Sequence, residues 1–168
     1  PIILLIYLLI LVQMGPPVFF RQKRPGKNGK PFIILKFRTM TDITNKGLGI
    51  ETNLDSDEGR ITKLGRILRT TSLDEIPELF NVIKGDMSLV GPRPLLMEYI
   101  PLYSKEQFRR MEMKPGITGW AQIQNVDMSD PHRLAKLEAE YLVLRTIPLD
   151  LKIVLATAIG RGHGDNVK

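Results

Sequence analysis

Eleven apolar residues in succession, Ile2 to Val12, open the hydrophobic pattern, and Gln13-Met14-Gly15-Pro16-Pro17 closes the run. Spanning a bilayer takes about 20 such residues, so a helix of this length reaches only part-way. It reads as a signal-peptide core, as half of a spanning helix cut at Pro1, or as one arm of a helix that dips into the bilayer and turns back. A soluble core helix is the plain alternative. No basic start or small-residue cleavage site marks a signal peptide. The run is apolar on every side, whereas a surface helix of a small domain shows a polar face, which favours burial in a membrane.

After the run, the pattern changes to short strands and amphipathic helices. Val18-Phe19-Phe20 and Phe32-Ile33-Ile34-Leu35 flank the turn Pro25-Gly26-Lys27-Asn28-Gly29-Lys30 and predict a β-hairpin. Thr41 to Gly59 is polar and predicts a loop. From Arg60 to Thr70, Ile61, Leu64, Ile67 and Leu68 share one helical face, opposite Arg60, Lys63, Arg66 and Arg69. A helix is predicted over Ile76 to Ile83, with Pro77 in its first turn. Met87 to Val90 is strand-like and ends in the stiff turn Gly91-Pro92-Arg93-Pro94. Tyr99 to Met111 predicts a helix, Lys114 to Trp120 a second Gly/Pro turn, and Leu134 to Leu144 another helix. Beyond Pro148, Leu151, Val154, Leu155, Ala158 and Ile159 form an apolar stripe, either core or an in-plane membrane helix. The fold class expected is α+β and mostly helical: a single compact domain with a small hairpin, amphipathic interfacial helices and an N-terminal membrane helix. Residues 1–14 form the membrane arm and 15–168 the catalytic domain.

Charge narrows the partners. Lys and Arg number 24 against 18 acidic residues, a net charge of +6 over 168 residues, which points to an anionic partner. Seven cations and no carboxylate lie between Phe19 and Thr39 (Arg21, Lys23, Arg24, Lys27, Lys30, Lys36, Arg38). Such a run is often only a solvated face. Here it follows a membrane-directed segment, where each cation near anionic lipid contributes about 1 kcal/mol. Lys36 and Arg38 could instead present two cations to one phosphate. With no cysteine, disulfides, thiolate zinc sites and cysteine nucleophiles are excluded. His132 and His163 both read as loop residues. The Trp120 indole suits a base, a lipid interface or core packing.

The chemistry centres on Ser72-Leu73-Asp74-Glu75-Ile76-Pro77. Its bland reading is a capping box, with Ser72 and Glu75 tying off backbone amides at a helix start. Its sharper reading makes Asp74 a nucleophile toward phosphorus and Glu75 the ligand of a divalent metal. Arg69, five residues earlier, is close enough to line the same pocket, and the paired prolines present Arg93 with little entropy to lose. Asp55-Ser56-Asp57 matches the Asp-x-Asp metal-nucleotide pattern superficially and reads better as a solvated turn.

Taken together, several stretches resemble one family, the bacterial sugar transferases or monotopic phosphoglycosyl transferases. They are Gln22 to Gly26, Lys36 to Met40, Arg60-Ile61-Thr62 with Gly65, Arg69 through Asn81, Gly85 through Pro94, and Lys114 through Gln122. The resemblance implies transfer of a phosphosugar from a UDP-sugar to polyprenol (undecaprenol) phosphate, at the start of polysaccharide, lipopolysaccharide or other glycoconjugate assembly. It implies Asp74 as nucleophile expelling UMP, Glu75 binding Mg²⁺, and a ping-pong cycle through a phosphosugar–aspartyl intermediate. Substrate contacts are expected from Lys36, Arg38, Arg69, Pro92, Arg93, Pro94 and Gln122. It also implies a re-entrant helix broken at a Ser-Pro pair, with Pro1 as that proline and the first arm outside this chain. The expected location is the bacterial inner membrane, monotopic with the catalytic domain on the cytoplasmic face, and a homodimer is one of the assemblies considered.

One segment departs from the family pattern. Many members carry Gly-Arg-Asn after the Ala-Gln pair, where this chain has Gln124-Asn125-Val126-Asp127-Met128-Ser129-Asp130. Either Arg133 substitutes for the missing arginine, or the segment marks a subgroup with a different sugar. From a different class, a non-catalytic basic module on anionic membrane is the alternative function. Nucleic-acid binding ranks last, because no recognition helix or RNA-binding aromatic signature is present.

Overall fold

The computed structural model describes residues 1–41 and 57–162. The predicted loop from Thr41 falls largely outside them, as do Asp55, Ser56 and His163. Among the described residues helices dominate, with two small two-stranded sheets, so the fold is α+β. The chain divides into two compact units: the described residues of Pro1–Phe20 and Leu35–Pro77, and those of Arg21–Ile34 and Glu78–His163.

In the first unit, the apolar run forms helix α1 (Ile2–Met14). It buries Ile6 and Ile10 in a cluster with Val18, Phe37 and Leu68, where the Phe19 and Phe37 rings stack at 5.4 Å. Leu4, Leu5, Leu8, Leu9 and Val12 remain exposed, as a helix apolar all round requires when only one side has a neighbour. Among the described residues no helix is long and apolar enough to cross a membrane. Strands β1 (Phe19–Pro25) and β2 (Pro31–Phe37), whose residues Arg21–Ile34 count with the second unit, make the expected hairpin, longer than its apolar residues alone indicate.

Two short helices follow, α2 (Asp57–Arg60) and α3 (Lys63–Thr70). The predicted helix over Arg60 to Thr70 therefore starts late. Thr62 caps it by accepting from the Gly65 amide at 2.9 Å, and Ile61 is drawn into a bridge with Met40. Gly65 sits where α3 presses on the chain leaving β2: a Cβ there would overlap the Thr39 carbonyl oxygen.

In the second unit, helix α4 (Glu78–Lys84) starts two residues later than predicted, after the fully buried Pro77. Strand β3 (Ser88–Val90) then leads into the Pro92–Pro94 turn. The helix expected over Tyr99 to Met111 is instead three pieces. A 3-10 segment, Met97–Leu102, contains Pro101; helix α5 (Lys105–Phe108) starts at a Ser104/Gln107 capping box; a 3-10 segment, Arg109–Glu112, follows. Proline and a strong cap divide a run that periodicity alone would join. Within the second predicted Gly/Pro turn lies an unexpected strand, β4 (Gly116–Thr118), parallel to β3 with Ser88 opposite Gly116 and Val90 opposite Thr118. Side chains at Gly91, Gly116 or Gly119 would overlap neighbouring backbone, so glycine here permits close strand approach. Helices α6 (Pro131–Leu144), capped by Asp130, and α7 (Ile147–Ala158), capped by Thr146, complete the unit. Tyr141 and Ile153 pack with Val90 and Met113, and the half-buried Trp120 indole packs against them.

Candidate active site

The acidic pair sits on a single 3-10 turn, Leu73–Glu75, between α3 and α4. Leu73 and Ile76 pack on the first unit's core and anchor the turn on both sides. The capping-box reading fails here. Ser72 has φ 55°, in the left-handed region, and its side chain makes no cap bond. A left-handed non-glycine residue is costly and is a feature of functional turns as well as structural ones. Asp74, in the same turn, is only 8% exposed, and its carboxylate accepts from its own backbone amide.

Cations compensate the pair. Lys36 Nζ lies 2.7 Å from Glu75 Oε1, with 20% and 13% of the two side chains exposed. Arg69 donates from Nε to Thr39 Oγ1 at 3.0 Å, and its Nη2 lies 3.1 Å from Met40 Sδ, so its guanidinium is pinned. Burial raises the Asp74 pKa to about 6, the Glu75 charge adds to the rise, and Lys36 and Arg69 pull it down. A carboxylate destabilised by desolvation and a like charge, with two cations in electrostatic reach, is a reactive arrangement. Arg38 is placed differently. Its Nη2 donates to the Met14 and Gly15 carbonyls at 2.6 Å, closing the C-terminal end of α1.

This geometry depends on close packing at Gly65. Gly65→Ala is expected to lift α3 from Thr39, weaken the Arg69–Thr39 bond and destabilise the fold by about 1–3 kcal/mol. Urea unfolding checks the loss, and an unchanged midpoint would contradict it.

In the second unit, the Gly91–Pro94 turn is held through its carbonyls. Pro92 O accepts from the Gly116 amide at 2.9 Å, Arg93 O from Arg110 Nη2 at 2.9 Å, and Pro94 O from Arg24 Nη1 at 3.1 Å. Arg93 thus projects from a backbone fixed at three successive residues. Gln122 opens the 3-10 turn Gln122–Gln124; its Oε1 is buried and takes no hydrogen bond among the described residues.

A model of the bacterial sugar transferase family matches residues 1–161. The chain belongs to that family. Within it, the chain is 51% identical over 156 residues to the "uncharacterized sugar transferase EpsL" of Bacillus subtilis, covering 93% of this chain and 75% of that protein. It is 42% identical over 171 residues to the UDP-glucose:undecaprenyl-phosphate glucose-1-phosphate transferase of Klebsiella pneumoniae, covering 94% and 35%. Similarity to the galactosyl transferase CpsE of Streptococcus agalactiae is 40% over 154 residues, covering 85% and 34%. The chain thus spans only about a third of the last two relatives.

Sequence reasoning missed Arg110 and Glu138, whose buried ion pair closes at 2.7 Å behind the Arg93 turn. The sole hint was an acid at an inward position of α6. Asp127 also goes unpredicted as a turn residue: it accepts from the Ser129 amide at 2.8 Å, and that bond, with a smaller pull from Arg93, lowers its pKa. Arg133 lies exposed in the first turn of α6, where its amide serves the Asp130 cap.

Proposed function

We propose that this chain transfers a phosphosugar from a UDP-sugar to a polyprenol phosphate at a membrane surface, releasing UMP. The observation that carries the reading is Asp74: a nearly buried carboxylate on a turn whose serine makes no cap bond, raised in pKa and in electrostatic reach of Lys36 and Arg69. An Asp74 carboxylate oxygen attacks the β-phosphorus, the bond from that phosphorus to the α–β bridging oxygen breaks, and UMP leaves with the electron pair. A phosphate oxygen of the polyprenol phosphate then attacks the same phosphorus, breaks the acyl-phosphate bond and frees Asp74. The sugar C–O bond is untouched, so anomeric configuration is retained.

Positioning and charge neutralisation carry such catalysis. Lys36 and Arg69, both in the first unit with the acidic pair, face the developing charge. Adjacent hard carboxylates suit Mg²⁺, which is commonly held by one or two carboxylates with substrate phosphates rather than by a protein cage. Among the described residues no three His, Cys, Asp or Glu side chains converge as such a cage. Glu75, with Asp74 beside it, would hold the ion, which supplies charge neutralisation at the diphosphate.

Two surfaces support membrane contact. In the first unit, α1 exposes Leu4, Leu5, Leu8, Leu9 and Val12 on the sides away from its buried Ile6 and Ile10. In the second, Ile147, Leu151, Leu155 and Ile159 form an exposed stripe along α7, with Arg145, Lys152 and Arg161 exposed around it. Aliphatics bordered by cations suit the boundary of an anionic bilayer. Leu151→Glu with Leu155→Glu is expected to lower binding to phosphatidylglycerol vesicles severalfold in a sedimentation assay. Equal binding would remove α7 from the interface.

The deciding experiment offers a panel of UDP-sugars with Mg²⁺ and follows UMP release together with a phosphosugar covalently bound to the protein by mass spectrometry. Salt-sensitive vesicle binding without UMP would leave the non-catalytic module standing. Because Asp74 must be ionised to attack, kcat/KM for UMP release is expected to rise with pH to a plateau above about 6. Lys36→Met removes a cation that lowers the Asp74 pKa and should move that limb upward. A limb that stays in place would exclude Lys36 from the nucleophile's environment.

A further inference from the structure

Lys36 and Arg69 are both cations near the acidic pair, yet they are held in opposite ways. Arg69 is fixed by Thr39 and Met40 at the edge of the site. Lys36 points its flexible stem at Glu75, the carboxylate expected to receive a metal, and contacts it at 2.7 Å. One ammonium and one divalent ion compete for the same oxygen, because each approach neutralises the charge that attracts the other. A lysine ammonium is a mobile point charge and can change partner at little geometric cost, which a pinned guanidinium cannot.

We propose that Lys36 is the resting counter-ion of the acidic pair, weakening divalent-metal binding at Glu75 until a nucleotide diphosphate offers the ammonium a phosphate oxygen instead. The inference rests on the metal role proposed above for Glu75 and adds an order of assembly. The free protein binds metal poorly, and metal and nucleotide bind cooperatively. Lys36 exchanges Glu75 for phosphate as both arrive. Linkage requires the effect to be reciprocal, with metal tightening nucleotide binding by the same factor.

Mn²⁺ binding to the full chain, followed by electron paramagnetic resonance of the free ion at pH 8, tests this without turnover. Without nucleotide, Lys36→Met and Lys36→Gln are each expected to bind Mn²⁺ about tenfold more tightly than the unmutated protein, the effect of losing one nearby partly screened charge. Lys36→Arg, which keeps the charge, should stay close to the unmutated value. UDP should raise Mn²⁺ affinity about tenfold in the unmutated protein and much less in the two neutral variants. Equal or weaker binding by both neutral variants, with Mn²⁺ still bound in the presence of UDP, overturns the competition and leaves the metal role intact. Mn²⁺ affinity indifferent to UDP in the unmutated protein also overturns it, whatever the variants do. Absence of Mn²⁺ binding in every form, with and without UDP, overturns the metal role and the proposal together.

Discussion

Asp74→Asn is expected to abolish UMP release, with no lipid acceptor needed to see the loss, and at the same time to make the protein more stable. The two effects share one cause. Burial and the Glu75 charge raise the Asp74 carboxyl from 3.8 to about 6, so its ionised form is disfavoured in the folded state. For an acid with a raised folded pKa, the native state holds the extra proton between the two values. Stability therefore falls as pH rises from about 4 to 6 and stays lower above that. At pH 8 the penalty is about 3 kcal/mol, at 1.36 kcal/mol per pKa unit. The neutral amide escapes it, so the variant should gain about 1–3 kcal/mol at pH 8 and little at pH 4. A capping aspartate predicts the reverse, because losing a cap costs about 1 kcal/mol. Thermal melts at pH 4 and 8, with a UMP assay on the same samples, separate the two. Persistent turnover would sink the nucleophile, and a melting point that drops at pH 8 would restore the structural role.

Arg110→Met should unfold much of what holds the Arg93 turn. Arg110 and Glu138 are almost wholly buried and meet at 2.7 Å, and the same guanidinium nitrogen donates to the Arg93 carbonyl. Burial pushes the Glu138 carboxyl above its usual range, and Arg110 beside it pulls it back. Removing the cation leaves a buried charge without its partner, a loss of about 3–5 kcal/mol. The cost should grow with pH, since protonation is the remaining way to neutralise Glu138. The double variant Arg110→Met with Glu138→Leu should recover most of it, because an apolar pair of similar volume avoids both desolvation penalties. Urea unfolding of the single and double variants checks this. A double variant no more stable than the single one would show that the Arg93 carbonyl contact, not the ion pair, carries the energy.

The candidate residues themselves are legible in the chain. The Asp74-Glu75 pair with the cations Lys36 and Arg69, and separately the stiff Arg93 turn, follow from residue type and order, because charge and proline rigidity are local properties. The family resemblance rested on those same stretches. Less legible was how each group is held. Ser72 and Glu75 spell a capping box, yet the working box lies at Ser104 and Gln107. Ser72 sits in the left-handed region and makes no cap bond, while Leu73 and Ile76 after it pack on the core. Arg38, two residues from Lys36 and alike in charge, closes the end of α1.

By itself the chain determined where the apolar, basic and acidic segments fall and which residue types could act on phosphorus, since those depend on composition and short spacing. Tertiary structure decided what no spacing contains: the Lys36–Glu75 contact across 39 positions, the Arg110–Glu138 pair across 28, and the pairing of β3 with a strand hidden in a Gly/Pro turn. Burial does that deciding, because a charge or glycine shows its role only once neighbours distant in sequence have displaced water from around it.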